Sequence, residues 1–336
     1  MIPPDRGGDR GTGRTAMLPR LAMLVALLLP VAAQAQPAFP DRPLRLVIPW
    51  PPGGTNDIIG RLVTEGMAAR LGQPFVIENR GGAGGMLGAE VVARAAPDGH
   101  TIVLGGSGSL TITSLVQAKV PYDVATAFAP IGLMALGPNV IVVHPSLPVT
   151  SLKELQAVAR RGPPLAYASP GVGSTGHAAG AMLAQALNVE MEHIPYRGTG
   201  PALNDMVAGR VQVFTNALAP MQPNIQSGAL RAVAIAGAKR SAAMPDLPTT
   251  GEEGFPQVEA ATWFGLLATG GTPPARIARL HAALNATLAE PELRRRLLDG
   301  GVEVEPSESP EAFARFFAED RARWAPVVRR AGMKVE

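Results

Sequence analysis

The chain has 336 residues, 46% of them hydrophobic and only 17% charged, enough apolar material for one large core or two ordinary ones. It contains no cysteine, which excludes disulfides, a thiolate nucleophile, thiolate metal ligands and a lipid-modified cysteine. The formal charge is +3, and removing the first 35 residues, with four Arg and two Asp, leaves +1; no nucleic-acid partner is expected from so small an excess.

The N-terminus reads as a leader. Arg10, Arg14 and Arg20 precede the apolar run LAMLVALLLPVAA, which ends in Ala33-Gln34-Ala35. A basic flank, a short apolar region and an A-x-A site describe a secretory signal peptide over residues 1–35. The apolar run is shorter than the ~20 residues a membrane span needs. The mature chain is expected to start near Gln36 and to be exported without a lipid anchor. Met17 is a second possible start.

Beyond Gln36, strands and helices alternate. PLRLVIPW predicts a strand, DIIGRLVTEGMAARLG a helix stopped by Gly72, PFVIEN a strand, GAEVVARAA a helix and HTIVLGG a strand. This βαβαβ order predicts a parallel sheet covered by helices. A second series begins near NVIVVHP. Its helix SLKELQAVARRG opens on a capping box from Ser151 to Glu154, and PLAYAS, STGHAAGAMLAQALN, EMEHIPY, GPALNDMVAG, VQVFTN and LRAVAIAG continue the alternation. The tail, PARIARLHAALNATLAEPELRRRLLDG and then SPEAFARFFAEDRARWAPVVRRAG, reads as helical. The expected fold is α/β: lobe 1 from residues 36–137 plus 262–336, lobe 2 from 138–261, crossings near 130–140 and 248–262, and a ligand cleft between the lobes.

Three glycine-rich turns could carry chemistry. In PWPPGGTNDIIGRL, a phosphate loop would need a Lys-Ser/Thr pair, but Thr55, Asn56 and Asp57 follow Gly54. An amide-lined turn suited to a small anion survives, with Gly53 and Gly54 at its centre. Asp57 reads equally as a charge in the first helical turn. NRGGAGGMLGAE approximates a dinucleotide fingerprint but lacks the acidic residue at the end of the next strand, so tight turns explain it better. PGVGSTGHAAG places Ser174 and Thr175 at another helix start. Its Ser174 and His177 invite a hydrolase reading, yet Val172 stands where a nucleophile elbow needs glycine, and no acidic residue orients His177.

The five histidines show no metal-ligand spacing, so neither a metal nor a cofactor is expected. Arg197, followed by Gly198, ends a strand and suits a bidentate grip on a ligand carboxylate, with an internal ion pair as its alternative. Ser107, Ser169 and Asn216 close three strands, where open α/β sheets place ligands. With only 4% aromatic residues, an aromatic cage is not expected.

These loops, taken together and in order, resemble the Bug family, the periplasmic substrate-binding proteins of tripartite tricarboxylate transporters. The resemblance runs from FPDRPLRLVIPWPPGGTNDIIGRL through VIENRGGAGGMLGAEVVARAAPDGHTIVLG, PYDVATAFAPIGL, VHPSLPVTSLKEL, YASPGVGSTGHAAG and HIPYRGTGPALNDMVAGRVQ to LPTTGEEGF. It implies a two-lobed binding-protein fold and a monomer that closes on a small organic acid and delivers it to membrane permease subunits, with no catalysis. Carried over by motif, the ligand contacts are Gly53, Gly54, Thr55, Asp57, Ser174, Thr175 and His177, with Arg197 and Gly198. The chain departs from the family at Trp50, where Phe is usual, and at Thr215-Asn216, where an Asp-Asn pair is common; the second change favours plain carboxylates over amino acids. The alternatives are a secreted hydrolase using Ser174 and His177, or a ligand-sensing partner of a membrane receptor. Which acid is bound is not readable from the residues.

Overall fold

The computed structural model describes residues 39–333, together with Met1, Gly7 and Gly8. Those three apart, the leader expected over residues 1–35 lies outside the described residues. No helix among the described residues is long and apolar enough to cross a membrane.

The expected βαβαβ run is present as β1 (Leu44–Ile48), α1 (Thr55–Leu71), β2 (Phe75–Asn79), α2 (Met86–Ala93) and β3 (Thr101–Gly106). Strand β1 is buried on both faces, as a strand covered on two sides must be. Leu44, Leu46 and Ile48 pack on Ile59, Val63 and Met67 of α1, while Val47 packs on Ala89 and Val92 of α2. The four-residue spacing from Ile59 to Leu71 keeps one face of α1 on the sheet. Gly72 then ends the helix in the left-handed conformation, its amide bonded to the Ala68 carbonyl.

A second series follows β4 (Phe128–Val143): α4 (Leu152–Arg161), β5 (Leu165–Ser169), α5 (Thr175–Leu187), β6 (Met191–Pro195), α6 (Thr199–Val207), β7 (Val213–Ala217), α7 (Gln222–Gln226) and β8 (Arg231–Ile235). The capping box forms: Ser151 Oγ accepts from the Glu154 amide, and Glu154 reaches back to Thr150. Between β3 and β4 lies a segment the periodicity does not reveal, a π-type turn at Ser107–Ile112 that runs into the one-turn helix α3 (Thr113–Val116).

The sheet order is β2-β1-β3-β9-β4-β7-β5-β6, with β9 at Ala261–Thr269; β8 and the two-residue β10 (Glu303–Val304) also pair with β4. Both flanks are parallel and the centre is antiparallel. Strand β4 joins the two halves of this curled sheet. Residues 128–138 pair with β9, and residues 139–143 pair with β7 and β8.

The first tail segment is two helices, α8 (Pro274–Leu288) and α9 (Pro291–Asp299), because Pro291 cannot donate inside a helix but fits a first turn. The last helix, α10 (Pro310–Arg330), bridges two cores. Phe313 and Phe317 pack with Trp263 and Leu110, whereas Trp324 and Val328 pack with Leu152, Leu183 and Tyr167. Midway along it, the buried Asp320 carboxylate accepts hydrogen bonds from Thr111 Oγ1 (2.8 Å), Trp263 Nε1 (2.7 Å) and Trp324 Nε1 (3.1 Å).

Candidate functional site

Four strand-to-helix turns, two from each half of the sheet, meet around one cavity whose empty space, open solvent at its mouth included, is about 530 Å³. The β1–α1 turn contributes Trp50, Pro51, Gly54, Thr55 and Asn56, and the π-type turn after β3 contributes Gly106, Gly108 and Ser109. From the other half come Pro170, Ser174 and Thr175 before and at the start of α5, and Gly198 and Thr199 at the start of α6. The ends of β7 (Asn216, Ala217) and β9 (Thr262, Phe264) complete the wall.

Among the described residues, the cavity lining contains no Asp, Glu, Lys, Arg or His. Its electrostatics come from helix ends. The first amides of α1, α5 and α6, at Thr55–Asn56, Thr175–Gly176 and Thr199–Gly200, lie outside their helical ladders and carry the positive ends of three macrodipoles. Such a wall favours an anion. Two buried polar atoms of the lining, Asn56 Oδ1 and Ser109 Oγ, have no hydrogen-bond partner among the described residues.

The two halves touch across the cleft. A Cβ built on Gly198 would lie 3.0 Å from Pro51 Cγ, one on Gly54 would lie 3.7 Å from Thr199 Oγ1, and one on Gly108 would lie 3.6 Å from the Thr175 amide nitrogen. Gly198 also sits at φ +109°, a conformation side chains resist, which lets the α6 turn come this close to Pro51. The contacts describe a closed cleft.

Hydrogen bonds fix the donors. Ser174 Oγ accepts from the His177 amide at 3.1 Å and donates to the Gly171 carbonyl at 2.7 Å, so its hydroxyl caps α5. Thr175 Oγ1 and Thr262 Oγ1 are 2.6 Å apart and tie the start of α5 to β9. Asn216 Nδ2 donates to Thr199 Oγ1 at 3.1 Å. Thr215, at the position where the resemblance expects Asp, is buried and donates to the Gly176 carbonyl at 2.6 Å, so it seats the first turn of α5.

Six of the twelve residues singled out in the sequence line the cavity: Gly54, Thr55, Ser174, Thr175, Gly198 and Asn216. The other six are placed elsewhere. Gly53 sits in the turn between the lining residues Pro51 and Gly54 without lining the cavity, and its amide donates to Asp57 Oδ2 at 3.2 Å. Asp57 lies behind the turn, where Oδ1 takes Asn79 Nδ2 and Arg61 Nε, each at 3.1 Å. Burial works to raise its pKa, but the bonds from Arg61, Gly53 and Asn79 prevail and hold it below the usual carboxylate range. Ser107 Oγ accepts from the Trp263 amide at 3.2 Å and serves the β3–β9 junction. Ser169 Oγ bonds His193 Nε2 at 2.7 Å.

His177 turns away from the cavity. Its ring stacks on His193 at a centroid distance of 3.9 Å, and its Nδ1 accepts from the Gly173 amide at 3.4 Å. Burial pushes its pKa down to about 4. The Ser174 hydroxyl therefore has no base: among the described residues His177 reaches it only through the backbone amide, and no imidazole nitrogen is hydrogen-bonded to Ser174 Oγ. Arg197 is exposed on the outer side of the cleft, beside Trp50, Pro51 and Gly198, and has no ion pair among the described residues. The NRGGAGG loop also edges this outer side, through Gly81, Gly82, Ala83 and Gly84.

The lining residues that the sequence did not single out as ligand contacts, such as Ser109, Thr199, Thr262 and Phe264, have no local signature. Thr262 and Phe264 join the site only because β9 returns beside β3 and β4. Ser109 was hidden in a turn without periodicity; its neighbour Gly106, at the end of a strand, was the available signal.

Solved structures share this architecture. A structure of the periplasmic binding protein BugD aligns with a TM-score of 0.83 and 34% identity over 89% of this chain and 100% of that one. An R. palustris protein solved with adipate gives 0.85 and 35% over 88% and 99%. MatC from Rhodopseudomonas palustris, solved with bound malate, gives 0.82 and 35% over 86% and 100%. The fold is thus that of periplasmic binding proteins of the Bug type, a group of solute receptors and not of enzymes. The model of the tripartite tricarboxylate transporter family receptor, TctC, matches residues 59–333, and the chain belongs to that family.

Proposed function

We propose that this chain is a periplasmic receptor that closes on a small organic acid with one or more carboxylates and hands it to the membrane permease subunits of a tripartite transporter. One observation carries the reading: three helix N-termini from both halves of the sheet face a cavity with no charged side chain among its described lining. Burying an unpaired carboxylate costs several kcal/mol. Each helix terminus offsets up to ~2 kcal/mol of that, and each charge-assisted hydrogen bond about 1.5–3 kcal/mol. Carboxylates at the two ends of one molecule would let both halves grip it at once. The adipate and malate bound to relatives have that form. With no carboxylate in the lining, an amino-acid ammonium group has no counter-charge.

In this reading the leader over residues 1–35 is cleaved after Ala35, the mature protein is a monomer, and residues 36–137 plus 262–336 close by hinge motion on 138–261. The test is native mass spectrometry of freshly purified protein, followed by thermal unfolding against a panel with adipate, malate, citrate, aromatic acids and amino acids. An acid at 100 times its Kd adds ~2.7 kcal/mol of stability. A panel in which amino acids raise the Tm while none of the plain organic acids does would overturn the proposal.

A further inference from the structure

Outside the closed cavity, the cleft opens into a second, wider hollow that shares Trp50, Pro51, Pro170 and Gly198 with it. Any solute reaching the inner cavity from this side passes these residues. The hollow is lined by glycines, prolines, amides and Tyr196, and Arg197 is the one charged residue among its described lining. The neighbouring cations are all paired: Arg61 with Asp57 at 2.9 Å, Arg210 with Asp205 at 2.6 Å, and Arg80 with Glu78, which it shares with Arg45. Arg197 is exposed, takes part in no ion pair or side-chain hydrogen bond among the described residues, and precedes the glycine that contacts Pro51.

We infer that Arg197 steers the anion into the cleft and does not hold it there. The inference rests on the organic-acid reading above. A guanidinium left solvated and unpaired at the mouth, outside the closed cavity, accelerates arrival of an anion without contributing to its retention. At ~10 Å from a dianion in water, one charge changes the encounter rate about threefold at an ionic strength near ~10 mM and about 1.5-fold near ~150 mM.

The test is stopped-flow Trp fluorescence of the full mature protein, with adipate and malate as probes at the two ionic strengths. Arg197→Gln should lower kon about threefold at low salt and about 1.5-fold at physiological salt, with koff unchanged. Arg197→Glu should lower kon about tenfold at low salt, and Arg197→Lys should retain the wild-type rate. A rise in koff with kon unchanged would make Arg197 a ligand contact and overturn the inference. Unchanged kon and koff, or a wild-type kon independent of salt, would also overturn it. If the wild type binds neither, the acid of the panel above that it does bind replaces them as the probe, and if no acid of that panel binds, the organic-acid reading falls first and the steering with it. Circular dichroism melting separates these outcomes from loss of fold.

Discussion

The imidazole pair behind α5 ties stability to pH in a window above carboxylate titration. His177 and His193 lie face to face, their planes 5° from parallel, with Tyr167 stacked on His193 at 4.8 Å. Burial pushes His177 down to about 4; burial, with repulsion from His177, pushes His193 down to about 3. In the unfolded chain both titrate near ~6.5. Below that pH the unfolded chain takes up protons that the folded chain refuses. The unfolding free energy therefore falls as pH falls from ~6.5, until the folded pKa values are passed. Between pH ~6.5 and ~5 the slope of about 1.4 kcal/mol per pH unit removes about 2 kcal/mol through His177. His193 is only partly buried, and water near its ring reduces its share, so the pair together loses about 3 kcal/mol. Urea unfolding at pH 7.5, 6.5, 5.5 and 5.0 measures this directly, and His177→Gln should remove more than half of the slope. NMR titration of the ring protons should show both imidazoles neutral at pH 5. A flat stability profile over this window, or either ring titrating near its ordinary value, would refute the argument.

Two further substitutions probe closure and the bridge between cores. Gly198→Ala should cost about 1–3 kcal/mol of stability from its backbone conformation. On the proposed closing motion it should also weaken acid binding by about fivefold, about 1 kcal/mol, because the added Cβ meets Pro51 across the cleft. Calorimetry paired with melting separates the two effects, and an unchanged Kd would mean that the ligand-bound state lacks that contact. Asp320→Ala leaves Thr111 Oγ1 and the indole N–H groups of Trp263 and Trp324 without their shared acceptor. It should lower the unfolding free energy by about 3–5 kcal/mol in urea, with loss of near-UV tryptophan dichroism; a loss below about 1 kcal/mol would remove the bridging role assigned to α10.

Much of this protein was legible residue by residue. Alternating β and α periods, the Ser151–Glu154 box and the glycines at strand-to-helix junctions specify local backbone, and backbone amides are what the cavity is built from. The place of Gly54, Thr55, Ser174 and Thr175 in the cavity wall could therefore be anticipated from short stretches, because a helix start exposes its amides wherever it occurs. Side chains obey longer-range partners. Asp57 was committed to the turn by Arg61 and Asn79, His177 to a stack by His193, and Ser169 to the same histidine. None of these pairings can be inferred from the residue alone, since each partner comes from a neighbouring strand or a later turn of the helix. Arg197 lies just outside the cavity because Gly198, one residue on, is what meets Pro51 across the cleft. The sequence by itself determined the helix starts and their dipoles, which are local. Tertiary structure alone decided which of them converge, since β4 and β9 carry backbone from one half of the sheet to the other and bring Thr262 and Phe264 into a wall that local pattern cannot describe.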